Sequence, residues 1–244
     1  MTTGRPLATL QFETTSDYTT NLQTLISLCH ATAKQSIILA PEVSVTGFDY
    51  SNFKEAALFS TEIDKALVEA SKEKTIATTM IELRDESFYN VAKVYHHGTI
   101  IHSQAKHKLF TLGDERKHFS PGTLDDIKIF EIDGIKIAIL ICFEIRFSEL
   151  WQKIFGADII LVPAQWGKIR SDHFTTLTKA LAISNQAYVL ASDAANSDTT
   201  SESAIITPFG ETFKNQTALI QTLGFDDKIL DKMRRYIDVG LNHG

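Results

Sequence analysis

Ile137-Ala138-Ile139-Leu140-Ile141-Cys142 runs five apolar residues into a cysteine, and Phe143-Glu144-Ile145-Arg146-Phe147 leads on to a helical pattern near Ser148 to Phe155. An unbroken apolar run of this length reads as a strand buried on both faces, as in a parallel sheet covered by helices. Asp133-Gly134 is a turn signal, so Ile127 to Ile132 folds back on Ile135 to Ile141 as a hairpin. Cys142 then stands at a strand-to-helix turn, the place of a nucleophile elbow, where backbone N–H groups and a helix start favour the thiolate. A core position fits it equally, because free cysteine is among the most buried residue types.

The same alternation extends in both directions. Upstream, Leu7 to Phe12 reads as a strand, and Ser16 starts a helix whose stripe holds Leu22, Leu25, Ile26, Cys29 and Ala33, which gives Cys29 a core role. Ile37 to Ala40 is a buried strand ended by Pro41, leaving Glu42 just past its carboxyl end, where open α/β sheets place ligands. A helix over Ile63 to Lys72, a strand over Thr75 to Ile81 and a hairpin around His97-Gly98 follow. Downstream come a strand Ile159 to Val162 closed by Pro163, a helix over Ser171 to Ser184 and a strand Tyr188 to Ser192. Ala204 to Thr207, Thr217 to Gly224 and a helix from Asp226 carrying Ile229, Met233, Ile237 and Leu241 complete the chain. With no Gly/Ser or Pro-rich linker, residues 1–244 read as one α/β domain, and Ser192 to Ser203 as its mobile surface loop.

Composition narrows the function. In 244 residues, 43% are hydrophobic and 22% charged, which excludes disordered and low-complexity chains. The net charge of −6 and a longest basic cluster of Lys106-His107-Lys108 argue against nucleic acid. Two cysteines make no disulfide framework, the amino terminus shows no signal pattern, and the most apolar run contains Lys136; a cytoplasmic protein without a membrane span is expected. Serine-hydrolase, phosphate-loop, dinucleotide and zinc-protease motifs are missing, and His96-His97, without a matching ligand pair, reads as hairpin surface rather than a metal site.

Three chemical groups fall at strand ends: Glu42, able to act as general base; Lys106, able to donate to an oxyanion; and Cys142. Singly, each is also a loop glutamate, a solvated basic patch or a core thiol. Together they form a pattern. Pro41-Glu42-Val43-Ser44-Val45-Thr46-Gly47-Phe48, Lys106-His107-Lys108-Leu109-Phe110 and Cys142-Phe143-Glu144-Ile145-Arg146-Phe147 resemble the P-E-x-x-x-T-G-F, K-x-H-L-F and C-x-x-x-R-F motifs of the nitrilase superfamily of carbon–nitrogen hydrolases. Glu115, ahead of Phe119-Ser120-Pro121-Gly122, resembles the family's second glutamate, and Asn185-Gln186-Ala187-Tyr188-Val189 fits its N-Q-x-Y-V segment.

The resemblance implies a four-layer α-β-β-α sandwich with two mixed sheets, a homodimer formed through helices, and no metal or organic cofactor. It implies Cys142 as nucleophile, Glu42 as base, Lys106 and the Phe143 backbone N–H as oxyanion donors, and Glu115 as the group that orients Lys106 or the substrate amide. The branch it looks most like is the omega-amidases, which hydrolyse the side amide of small 2-oxo acids. Arg170 and His173, after Gln165-Trp166-Gly167, with Trp166 beside them, are the candidates for binding a substrate carboxylate. Arg146 is expected to be a structural ion-pair partner. The sequence departs from the family at Leu181, Lys108 and Glu144, and the last two are expected to shift substrate range. A carbamoyl or deaminated-peptide amidase, and a catalytically silent binder of a metabolite or partner, stay open at this point.

Overall fold

Alternation along the strands decides how the layers stack. Leu7, Ile37, Leu39 and Ala77 belong to one buried cluster, while their chain neighbours Ala8, Leu10, Ile38 and Ile76 belong to another that holds Leu25, Leu28 and Leu67 from the helices. A strand with period two that buries both faces needs a second sheet on one side and helices on the other. The computed structural model describes residues 4–241 in that arrangement.

In chain order the first half holds β1 (Pro6–Leu10), α1 (Tyr18–Ala31), β2 (Ile37–Leu39), α2 (Phe53–Ala70), β3 (Thr75–Arg84), β4 (Ser87–His96), β5 (Thr99–Ala105) and α3 (Glu115–His118). The second half holds β6 (Phe130–Ile132), β7 (Ile135–Ile139), α4 (Ser148–Lys153), β8 (Ile159–Ala164), α5 (Ser171–Asn185), β9 (Tyr188–Asp193), β10 (Ala204–Ile206), β11 (Thr212–Phe213), β12 (Ile220–Gly224) and α6 (Asp227–Tyr236). One sheet has the order β12-β1-β2-β3-β4-β5 and the other β11-β10-β9-β8-β7-β6. In each sheet the central pairs are parallel, β1-β2-β3 and β7-β8-β9, and the flanking pairs antiparallel. The expected α-β-β-α sandwich of two mixed sheets is the observed fold. Its parallel strands β2, β7 and β8 all run out toward one edge, and the Glu42 N–H bonds Ala164 O at 3.2 Å across the two sheets there.

Several local expectations shift. Asp17, not Ser16, caps α1, its carboxylate accepting the Thr20 N–H at 3.0 Å. Helix α2 begins ten residues before the expected Ile63, because Phe53, Ala56 and Ala57 cover a separate aromatic cluster with Phe119. A turn at Asp85-Glu86, both with positive φ, joins β3 directly to β4 and makes a three-stranded meander. The largest correction concerns Ser192 to Ser203, which is sewn down rather than mobile. Ser192 Oγ donates to Leu10 O at 2.6 Å, Asn196 exchanges hydrogen bonds with both backbone groups of Thr14, and Ser203 N–H bonds Gln11. In α6, Leu230 and Met233 pack inward, whereas Ile237 lies past its end with half its surface exposed and Leu241 lies outside the helix.

Candidate active site

Glu42 leaves β2 through Pro41 and is fully buried, followed by Val43 at φ 41°. A β-branched residue in the left-handed region is strained, and the Thr79 hydroxyl holds it there by accepting the Val43 N–H at 2.7 Å. Every contact to the Glu42 carboxylate is a donor: Asn90 Nδ2 at 2.8 Å and Lys106 Nζ at 2.7 Å on Oε1, and the Gln165 N–H at 3.2 Å on Oε2. Lys106 follows β5, is also fully buried, and places its ammonium between Glu42 and Glu115, 2.7 Å from each. Burial works against that charge, but Glu42 and Glu115 overcome it and hold Lys106 above the ordinary lysine range. Glu115 opens α3, accepts the Phe110 N–H at 3.0 Å, and is itself pushed upward by burial against the pull of Lys106.

Cys142 completes the cluster. It begins a 3₁₀ turn, Cys142–Arg146, at φ 48°, a left-handed conformation that a non-glycine residue adopts only where the surroundings impose it. Burial first, and the Glu42 charge next, raise the thiol well above its usual range, so it rests protonated. The Phe143 N–H, in the first turn of that helix, donates to no acceptor among the described residues and stays available to an oxyanion. Lys106 thus joins Glu42 and Glu115, and the charges of all three act on the Cys142 thiol, although these residues are separated by up to a hundred positions in sequence.

That pocket encloses about 290 Å³ and is lined by Glu115, Cys142, Phe143, Arg146, Trp166 and Arg170 among others. Its size lies at the small end of the roughly 300–1,000 Å³ usual for ligand sites. Trp166 is where the sequence places it, its N–H fixed by Asp193 Oδ1 at 2.7 Å and its indole N–H donating to Arg170 O at 2.9 Å. The Arg170 guanidinium stacks over Phe110 at 5.1 Å. His173 is a correction: it does not line the cavity, and its Nδ1 instead accepts from Arg146 NH2 at 3.1 Å. Arg146 is the converse correction. It makes no ion pair among the described residues, stacks on Trp166 at 4.8 Å and lines the cavity beside Arg170. Burial and the Arg170 charge together disfavour its cation.

Lys108, Leu181 and Glu144 do not line the cavity either. Lys108 pairs with Glu149 at 3.2 Å, and Leu181 is core. Asn90, Gln165 and Asp193 carry no motif that singles them out: Asn90 lies within β4, Gln165 just past the end of β8 and Asp193 at the end of β9. His96, His97 and Asp133, from two facing hairpins, bring possible metal ligands within 4.8 Å. Arg5 already neutralises Asp133 at 2.6 Å, so the trio acts as a contact between the sheets.

The two-sheet sandwich buries a thiol, two carboxylates and an ammonium, and a small cavity opens beside Cys142 and Glu115. The chain belongs to the carbon–nitrogen hydrolase family, whose model matches residues 6–222. It is 32% identical over 185 residues to a 2-oxoglutaramate amidase of Bacillus subtilis, covering 71% of each chain. It is 28% identical over 217 residues to a deaminated glutathione amidase of Escherichia coli O157:H7, covering 83% of this chain and 82% of that one. The fold superposes on Saccharomyces cerevisiae Nit3, a member of branch 10 of the nitrilase superfamily, with a TM-score of 0.83 at 19% identity, over 96% and 94% of the two chains. Among the described residues no helix is long and apolar enough to cross a membrane.

Proposed function

We propose that this carbon–nitrogen hydrolase is an amidase that cleaves the side amide of a small 2-oxo acid, releasing ammonia through a Cys142 thioester. The resting thiol is protonated, so attack on the amide carbonyl requires a base, and Glu42 takes that proton. Lys106 and the Phe143 N–H receive the oxyanion, each good donor worth about 3 to 4 kcal/mol in the transition state. Glu42 then gives its proton to the departing ammonia, and the acyl group remains on sulfur. A water enters, loses a proton to Glu42 and attacks the thioester; the carboxylic acid leaves and the thiol is restored. Glu115 keeps Lys106 aimed throughout.

The observation that carries the substrate reading is the pair of guanidiniums, Arg146 and Arg170, which line the cavity that holds Cys142 and, among the described residues, make no ion pair, Asp198 on the same lining included. A guanidinium forks onto a carboxylate, and two of them in the cavity that holds Cys142 suit a substrate that carries a carboxylate besides its amide. The name of the Bacillus subtilis relative, a 2-oxoglutaramate amidase, supports this reading, and that of the Escherichia coli relative, a deaminated glutathione amidase, marks the alternative. Ammonia release from 2-oxo acid amides, carbamoyl acids and uncharged primary amides, together with release of the free dipeptide amine from deaminated glutathione, tests this. Preference for the 2-oxo acid amides with complete loss in Cys142→Ala is expected; turnover retained by Cys142→Ala refutes the nucleophile.

A further inference from the structure

Glu144 is fully buried and makes no ion pair among the described residues. Burial pushes its carboxyl upward, and three backbone N–H groups, with the nearby Lys106 charge, pull against that: Ile141 at 2.7 Å on Oε2, and His107 at 2.7 Å and Lys108 at 3.3 Å on Oε1. A buried acid without a cation is unfavourable unless its hydrogen bonds are worth having. These are directed at two particular stretches of backbone, Ile141 on one side and His107-Lys108 on the other. Ile141 immediately precedes Cys142, and its carbonyl is also held, by the Glu144 N–H at 3.0 Å, so the peptide leading into the strained φ of 48° is gripped at both ends. His107 immediately follows Lys106, whose carbonyl accepts the Gly122 N–H at 2.8 Å.

We propose that Glu144 is a positioning residue whose single carboxylate ties the nucleophile turn of one sheet to the lysine-bearing strand end of the other, fixing Cys142 relative to Lys106. The proposal rests on the thiol mechanism above. Without the tie, β5 and the Cys142 turn belong to different sheets and share few direct bonds near the pocket. A shift of about 1 Å between reacting groups can lower turnover roughly 100-fold. Arg170 stands on a separate segment after β8, and Arg146 is held by its stacking on Trp166 as well as by the turn, so the change is expected to fall on turnover more than on substrate binding.

The test uses Glu144→Gln, which keeps the volume but turns an N–H donor toward one of the two backbone stretches, and Glu144→Asp, which keeps the charge but falls one methylene short. For each, folding is followed by near-ultraviolet circular dichroism, kcat and KM are measured separately, and Cys142 alkylation by iodoacetamide is timed; Cys29 is fully buried. Expected are folded variants with KM within about twofold of wild type, kcat lower by roughly 10- to 100-fold, and slowed alkylation. Wild-type kcat in both variants, a loss carried by KM alone, or failure of both to fold overturns the proposal. An active Cys142→Ala protein instead overturns the mechanism on which it stands.

Discussion

Replacing Lys106 by Met removes the ammonium and leaves a side chain of similar length between Glu42 and Glu115. Each carboxylate loses a partner at 2.7 Å, an attraction of about 6 kcal/mol apiece at an effective dielectric constant near 20. The net loss is smaller, because the buried ammonium was itself poorly solvated and because a stranded carboxylate can take up a proton. Breaking a buried pair in this way costs about 3 to 5 kcal/mol, out of a total stability of roughly 5 to 15 kcal/mol. The sign of the pH dependence follows from Glu115, which burial already raises against the pull of Lys106 and which rises further when that ammonium is removed. Its protonated form contributes fully below the unfolded value near 4.3, and that contribution is lost as the pH climbs through the raised folded value. The stability gap between wild type and Lys106→Met therefore widens from pH 5 to pH 8, by up to about 1.4 kcal/mol per pH unit for each extra proton held. Urea unfolding followed by fluorescence of the two tryptophans measures the gap at each pH. Activity should fall by at least ~10²-fold at every pH, because acid restores charge balance but not an oxyanion donor. A gap independent of pH, or kcat/KM within tenfold of wild type, refutes the account of Lys106.

Arg146→Ala and Arg170→Ala each remove a charged hydrogen bond, worth about 1.5 to 3 kcal/mol, so KM for 2-oxo acid amides should rise roughly 10- to 100-fold while uncharged amides are unaffected. Equal losses on charged and uncharged substrates would show that neither guanidinium reads the carboxylate. His173→Ala should give a smaller rise, since it acts only by steadying Arg146. Asp193 is fully buried and pushed up to about 7 by that burial, despite the Thr200 hydroxyl and the N–H groups of Trp166, Thr200 and Ser201 that favour its ionised form. Its contribution to stability is greatest near pH 4 and is lost as pH rises through 7, so Asp193→Asn should flatten that part of the stability profile; an unchanged slope in urea melts argues against it.

What the sequence made legible was local. A buried apolar run before Cys142, Pro41 before Glu42 and the motif around Lys106 each place a functional group at a strand end, because strand termini are signalled by the few residues on either side. Illegible were features that depend on which face of a turn meets another part of the chain. Arg146 and His173 illustrate the point: one is four residues from Cys142, the other three from Arg170, and spacing alone gives no reason to prefer either. The 3₁₀ turn aims Arg146 along Trp166 into the cavity, while the first turn of α5 directs His173 to Arg146 from behind. Ser192 to Ser203 misled for the same reason, since its Ser, Thr, Asp and Asn side chains are those of a solvated loop and equally those needed to saturate buried backbone groups. Polar composition separates the two cases only when the partners are known, and here the partners, Leu10 to Thr14 and Trp166, come from both sheets. The loop is ordered because it closes the seam between the sheets behind the pocket. A cavity assembled from two sheets requires such a seam to be held, so the residues that hold it, Asp193 and Glu144 among them, bear on catalysis without touching the substrate.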